Sequence, residues 1–414
     1  MKKTWWKEGI VYQIYPRSFK DSTGNGIGDI YGIIEKLDYI KSLGVNMIWI
    51  CPIYSSPNDD NGYDISDYRK ISDEFGGNKA FDILLKEMHK RDLKLIMDLV
   101  ANHSSDEHKW FQESKKGENN PYHDYYIWKR GDFDLPPNNW LSVFSGSAWQ
   151  WDSNLNKYYL HLFTKKQPDL NWENPKVRDE IYDVLNFWFS KGVDGFRMDV
   201  ISFISKRLDF PPAEEGATLS DMMENIYANG PRIHEFLKEM NKKVLSKYDI
   251  VTVGEGPGVN LKTGLKYVDE NEKELDMVFH FDHLQIDFGP EGKFDPQPID
   301  FIKFKKVFSD WDSLLKNKGW NSIFLGNHDF SRIVSRFGND KKFRNQSAKL
   351  LATLLMTLRG TPYVYQGDEI GMTNIKYPSI DYYDDIETRN AWKDAEEQCK
   401  DMDIFLKAVH RQSR

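Results

Sequence analysis

Two carboxylates each close a short apolar run: Asp199 ends GFRMD at 195–199, and Glu255 ends TVGE at 252–255. On neighbouring strands of a parallel barrel, ~4.8 Å apart, such groups can face each other at about 5–5.5 Å. That separation suits retaining glycoside hydrolysis: one carboxylate attacks the anomeric carbon, and the other protonates the leaving oxygen and later activates water. Charges this close cannot both be freely ionised, so their pKa values should split. Arg197 stands two positions before Asp199. Strand alternation turns both to one face, where the guanidinium can keep Asp199 ionised. A structural Arg–Asp pair on a strand end would look the same over these residues. Polar clusters also close DLVANH at 98–103, QPDLNW at 167–172 and FLGNHD at 324–329.

Eight candidate strands can gather these groups: 10–15, 46–51, 94–100, 194–199, 249–254, 276–281, 321–326 and 361–366. Apolar runs alternating with helix-period segments imply βα units and a parallel sheet. Eight units close a (β/α)8 TIM barrel, which carries its chemistry at the C-terminal ends of the strands. The first helix puts Ile30, Ile33, Ile34, Leu37 and Ile40 on one face and stops at Gly44. Another opens with Asn174 as cap and Pro175 in its first turn. Residues 231–247 and 342–359 read as helices too. Residues 103–173, rich in Asn, Pro, Tyr, Trp and Asp, break the rhythm. They are too long for a structureless loop. We read them as a small inserted domain after strand three, leaving 1–102 and 174–414 as a discontinuous barrel. Residues 367–414 are largely polar and offer no clear helix returning to the barrel wall.

The formal net charge is -8 and no basic run stands out, which argues against nucleic acid as a partner. Cys51 and Cys399 are the only cysteines and make neither a disulfide framework nor a metal-ligand spacing. The opening MKKTWWKEG has lysines but no apolar segment after them. No stretch reaches the length of a membrane span. The expectation is a soluble, cytoplasmic protein without a membrane partner.

Taken together, the five polar clusters resemble the signature regions of glycoside hydrolase family 13, the α-amylase family. Within it the chain is most similar to the oligo-1,6-glucosidase, isomaltase and dextran-glucosidase type, from WWKEGIVYQIYPRSF at 5–19 to GTPYVYQGDEIGMTN at 360–374. The resemblance implies Asp199 as nucleophile, Glu255 as general acid/base and Asp329 as a third carboxylate that binds sugar hydroxyls and favours the distorted ring. It implies His103 and His328 as ligands of the first glucose, with Tyr63 and Asp64 closing the pocket around it. Phe144 and Phe163 match pocket-lining aromatics, and Asp98 and Asn102 match supports behind the ligands. Val200, just after the nucleophile, matches the residue that accompanies α-1,6 activity in the family, where Thr accompanies α-1,4 preference; simple packing is the other reading of it. DSTGNGIGD at 21–29 resembles the family's calcium loop, with Asp21, Thr23, Asn25, Ile27 and Asp29 at the ligand positions. The family has Asn and Asp where this chain has Thr23 and Asn25, so one ligand charge is lost.

The resemblance therefore implies an α-glucosidase hydrolysing α-1,6 bonds at the non-reducing end of isomalto-oligosaccharides, with a structural calcium ion and no organic cofactor. Same-family alternatives are hydrolysis of sucrose, α-1,4 bonds or trehalose-6-phosphate, and sugar transfer. A non-catalytic relative is disfavoured, because the acid pair is kept. The family continues past strand eight with an Arg, a last barrel helix and a β-sandwich, and Arg414 falls where that Arg would stand. On this reading the final helix and sandwich are missing. The expectations are then self-association through the open barrel wall, lower stability, and a sugar-binding form with impaired turnover.

Overall fold

The computed structural model describes residues 4–413. All eight candidate strands form. They are β1 (Val11–Ile14), β2 (Met47–Ile50), β3 (Lys94–Val100), β4 (Gly195–Asp199), β5 (Val251–Glu255), β6 (Met277–Phe279), β7 (Ser322–Ile323) and β8 (Thr361–Tyr365). Their sequences are near-continuous apolar runs because parallel strands are buried on both faces. The order is β6–β5–β4–β3–β2–β1–β8–β7. The Ser322 hydroxyl donates to the Val278 carbonyl at 2.8 Å and joins β7 to β6, closing the (β/α)8 barrel. Close approach of β4 and β5 demands Gly195, since a Cβ there would lie 2.4 Å from the Val251 carbonyl oxygen.

Among the described residues, each connection between successive strands carries one main helix: α1 (Ile30–Ser42), α2 (Gly77–His89), α3 (Pro175–Lys191), α4 (Ile233–Lys243), α5 (Gly264–Val268), α6 (Phe301–Leu315) and α7 (Arg344–Thr357). Local signals set their starts. Asp29 caps α1 by accepting from the Gly32 amide at 2.8 Å, and Asn174 caps α3 by accepting from the Lys176 amide at 3.0 Å.

Between β3 and α3 lies a three-stranded antiparallel sheet of Trp128–Arg130, Lys157–Leu160 and Trp149–Asp152, in that order. Bridges between His103 and Asp169 and between Tyr126 and Leu170 draw its two ends together at the barrel rim. A second apolar cluster joins Trp140, Leu160, Leu162 and Phe163 of this segment to Val200, Phe203 and Tyr227 beyond β4. That shared core seats the segment over the C-terminal mouth of the barrel.

The polar stretch after β8 is more ordered than its sequence predicts. It carries α8 (Ile386–Glu397) and α9 (Met402–Gln412), capped by Asp385 and Asp401. Their buried stripe is short: Ala395, Phe405 and Val409 close on Tyr383. They pack at the barrel mouth instead of its outer wall. Phe405 meets Phe294 of the Gly292–Pro296 strand with ring centroids 5.8 Å apart.

Candidate active site

The register of β3 and β4 sets Asp98 opposite Arg197 and Val100 opposite Asp199. Arg197, only 1% exposed, is therefore ringed by carboxylates. One terminal nitrogen donates to Asp98 at 2.8 Å and to Asp199 at 2.7 Å; the other pairs with Glu255 at 2.8 Å. Adjacent nitrogens of one rigid guanidinium thus hold the two predicted catalytic carboxyls side by side. Burial pushes the interacting Asp199–Glu255 pair up from the usual carboxylate range, so the two share a proton that neither holds alone. The Arg197 charge opposes that shift, while the surrounding carboxylates, Asp329 among them, add to it.

Val200 follows Asp199 with φ 34°, a left-handed conformation that a β-branched residue adopts only under strain. The strain aims its amide at Glu255, which accepts at 2.9 Å. Its side chain is buried in the cluster shared with the inserted sheet, so Val200 both packs and positions the acid.

The two histidines stand on either side. Gln13 donates through Nε2 to His328 Nδ1 at 2.9 Å, which leaves the proton on Nε2. That nitrogen meets the Tyr63 hydroxyl at 2.6 Å, and Tyr63 donates onward to Asp98 at 3.2 Å. His103 lies against Phe163, ring centroids 4.9 Å apart, and burial lowers its pKa to about 4, so it is neutral. Phe144 meets Phe163 edge-on at 5.6 Å. Asp329 lies beside His328 at 3.5 Å, and its carbonyl accepts from Lys293 at 3.1 Å. The fold therefore gathers Asp199, Glu255, Asp329, Arg197, His103, His328, Tyr63, Phe144, Phe163 and Val200 at one end of the barrel. Arg414 lies outside the described residues.

Asp64 is the exception. It is fully buried, and both its oxygens are turned back into the 56–60 turn. They accept from the Ser56 hydroxyl at 2.9 Å and from the amides of Asp59 and Asp60 at 2.9 and 3.1 Å. It shapes the loop, while Asp60 reaches towards His103 through Gln167. Asp60 accepts from Gln167 Nε2 at 3.0 Å, and the same amide lies 3.2 Å from His103 Nε2. Sequence alone offered three acids in DDNGYD and no way to rank them.

Lys206 was missed as well. Its ammonium, 2% exposed, donates to Asn102 at 3.1 Å and pairs with Asp169 at 2.8 Å. Asn102 donates to Asp169 at 3.2 Å and sits 3.3 Å from His103 Nδ1. A buried cation thus ties the β3 motif, the inserted segment and the loop beyond β4 into one unit beneath His103. The only sequence signal was a lysine seven residues after the nucleophile.

The loop at 21–29 lies away from these groups. Asp21 accepts from the amides of Thr23, Gly24 and Gly26 at 2.8, 2.7 and 2.7 Å, and these bonds, led by Gly26, hold its pKa down at about 2. Asn25 accepts from the Ile27 amide at 2.8 Å, and Ser22 donates to Asp29, the α1 cap. The donor set, two carboxylates with amide, hydroxyl and carbonyl oxygens, has the all-oxygen chemistry of a hard-cation site.

Residues 13–413 match the family described as "Alpha amylase, catalytic domain". The oligo-1,6-glucosidase of Parageobacillus thermoglucosidasius is 58% identical over 416 residues, covering 100% of this chain and 74% of the relative. The trehalose-6-phosphate hydrolase of Bacillus subtilis (strain 168) is 50% identical, covering 98% of this chain and 72% of its own length. The crystal structure of isomaltulose synthase from Klebsiella sp. LX3 superposes with a TM-score of 0.97 at 47% identity, covering 100% of this chain and 74% of that one. Among the described residues, no helix is long and apolar enough to cross a membrane.

Proposed function

The chain belongs to the α-amylase family of glycoside hydrolases, and from that premise we propose that it is a retaining α-glucosidase. It removes glucose from the non-reducing end of isomalto-oligosaccharides by cutting α-1,6 bonds. The observation that carries the reading is Arg197 holding Asp199 and Glu255 on adjacent nitrogens. One guanidinium among three buried carboxylates leaves excess negative charge, so a proton is retained in the cluster near neutral pH. Glu255 donates that proton to the glycosidic oxygen as Asp199 attacks the anomeric carbon, forming a covalent glucosyl ester and releasing the shortened sugar. Water, deprotonated by Glu255, then attacks the same carbon; glucose leaves with its α configuration and Glu255 regains its proton. His103, neutral through burial, and His328, with Asp329, bond the ring hydroxyls, while Phe163 and Phe144 wall off water.

The α-1,6 preference is supported by Val200, which offers shape without a hydroxyl, and by the names of the most similar relatives. Hydrolysis of trehalose-6-phosphate is the second reading, favoured by the B. subtilis relative. Turnover of isomaltose beside maltose, sucrose and trehalose-6-phosphate separates the two. Isomaltose as the fastest substrate is the expected result, and preference for the phosphorylated sugar overturns it.

Calcium is a structural proposal alone: Asp21, Thr23, Asn25, the Ile27 carbonyl and Asp29 would hold the ion. It would neutralise the two carboxylates and stiffen the entrance to α1, with no part in the chemical step. Calcium should raise the melting temperature and EGTA should lower it; a melting curve indifferent to both rejects the site. A cytoplasmic location belongs to the same proposal, supported by two unpaired thiols, Cys51 and Cys399. Cell fractionation tests it.

A further inference from the structure

The three carboxylates of the pocket are held in different ways. Asp199 and Glu255 are the last residues of β4 and β5, where pairing with neighbouring strands fixes the backbone. Their side chains are 8% and 9% exposed. Asp329 lies on the loop beyond β7, a strand of only Ser322–Ile323, and its side chain is 31% exposed. A group on a loop is aimed less sharply than one on a strand unless something outside the loop holds it.

Lys293 is placed to do so. It stands on the antiparallel hairpin of Phe288–Gly289 and Gly292–Pro296, outside the barrel sheet. Its ammonium donates to the Asp329 carbonyl at 3.1 Å, while the Asp329 amide donates to Asn327 Oδ1 at 2.8 Å. Bonds on both sides of one Cα restrict rotation there, and so set the direction in which the carboxylate leaves the chain. The same ammonium pairs with Glu387 of α8 and lies 5.5 Å from the centroid of the Phe330 ring. Helix α8 is itself tied across the mouth: Asn390 donates to the Phe144 carbonyl at 2.5 Å, and Ser145 donates to Asp394 at 2.6 Å. The Lys293 side chain is 10% exposed. Enclosing so long a cation costs rotamer freedom and hydration; what it secures is a fixed donor at the loop that carries Asp329.

We propose that Lys293 is a positioning residue for the third carboxylate: anchored by Glu387 on α8, it holds the Asp329 carbonyl and so keeps the Asp329 carboxylate on the hydroxyls of the reacting glucose as the ring distorts. The inference rests on the reading of Asp329 as that third carboxylate and deepens it. It also gives α8 a part in the site, as the fixed point against which the loop is braced. A contact that matters most in the distorted ring lowers the barrier more than it tightens ground-state binding, so its loss falls on kcat more than on KM.

The test is a double-mutant cycle read as kcat and KM on 4-nitrophenyl α-glucoside, whose coloured product reports slow turnover. Lys293→Met keeps the length of the stem and removes the donor. Alone, it should lower kcat about 10- to 100-fold, the scale of a catalytic group displaced by about an ångström, and move KM less than about threefold. In the Asp329→Ala variant there is no carboxylate left to aim, so adding Lys293→Met should change kcat by no more than about twofold. If the Met variant folds poorly, the same cycle runs with Lys293→Gln. The same fold-loss with and without the Asp329 side chain would mean that Lys293 only braces the fold, and overturns the proposal; so would a Lys293 variant with wild-type kcat. Asp329→Ala turning over like wild type would overturn the third-carboxylate reading itself, and the positioning role with it.

Discussion

Two buried cations sit near the barrel mouth, and they are balanced differently. Arg197 faces Asp98, Asp199 and Glu255; Lys206 faces one carboxylate, Asp169, and one amide, Asn102. Both are almost fully enclosed. One positive charge among three carboxylates leaves a cluster that must keep a proton, and such a cluster can give and take one. One against one is a closed pair, already neutral, and it serves as a clamp. Charge balance, more than burial, separates chemistry from architecture here.

The largest expected effect breaks the unbalanced cluster. Asp199→Asn should lower kcat on isomaltose at least ~10⁴-fold, about 5.5 kcal/mol, because no glucosyl ester can form. Retained turnover would reassign the nucleophile. Glu255→Gln should cost about 10²- to 10⁴-fold on isomaltose but far less on 4-nitrophenyl α-glucoside, whose leaving group needs no proton. The sign of the pH profile follows from the raised pKa of Glu255. The protonated form is the active one, so the wild-type rate falls as pH climbs through that pKa, and the Gln variant should lose this alkaline limb.

Breaking the balanced pair should act on stability first. Lys206→Met strands Asp169 in a buried setting, at a cost of about 3–5 kcal/mol. Adding Asp169→Asn should recover much of it. Calorimetry on the single and double variants decides this; a single variant that melts like wild type would demote the clamp to a bystander. A smaller change sharpens the linkage reading. Val200→Thr should raise the maltose-to-isomaltose activity ratio by no more than roughly 10- to 100-fold, and an unchanged ratio leaves Val200 with packing and positioning alone.

A third buried group carries no counter-charge at all. His283 is fully buried with no carboxylate partner among the described residues; burial, with the nearby Arg336 charge adding to it, lowers its pKa to about 3 despite a backbone contact at Phe324. Unfolding restores the ordinary value of 6.5, so between about 3 and 6.5 the unfolded chain binds the extra proton and stability falls as pH drops. The slope is up to about 1.4 kcal/mol per pH unit for one histidine, and His283→Leu should make the acid fall of the melting temperature shallower.

Much of this was legible in the sequence because barrel chemistry sits at strand ends, and strand ends read as apolar runs closing in polar residues. All eight strands formed where those runs predicted them, and β4 and β5 brought Arg197, Asp199 and Glu255 together. What escaped was decided by chain direction in loops. Asp60 and Asp64 are equivalent in composition, and only the fold of the 56–64 turn sends one inward and the other into its own amides. The role of Lys206 depends on three segments far apart in the chain. The left-handed backbone at Val200 has no sequence signature, since β-branched residues avoid it. Helices α8 and α9 hid because each buries only a few residues against an irregular surface.

The most direct test is to follow isomaltose hydrolysis by proton NMR from the first seconds. Attack by Asp199 followed by water gives two inversions at the anomeric carbon, so the glucose freed from the non-reducing end should emerge as the α-anomer and only later mutarotate. The β-anomer as first product of that unit would mean a single displacement by water, and the side-by-side carboxyls on Arg197 would then not be a nucleophile and its acid partner.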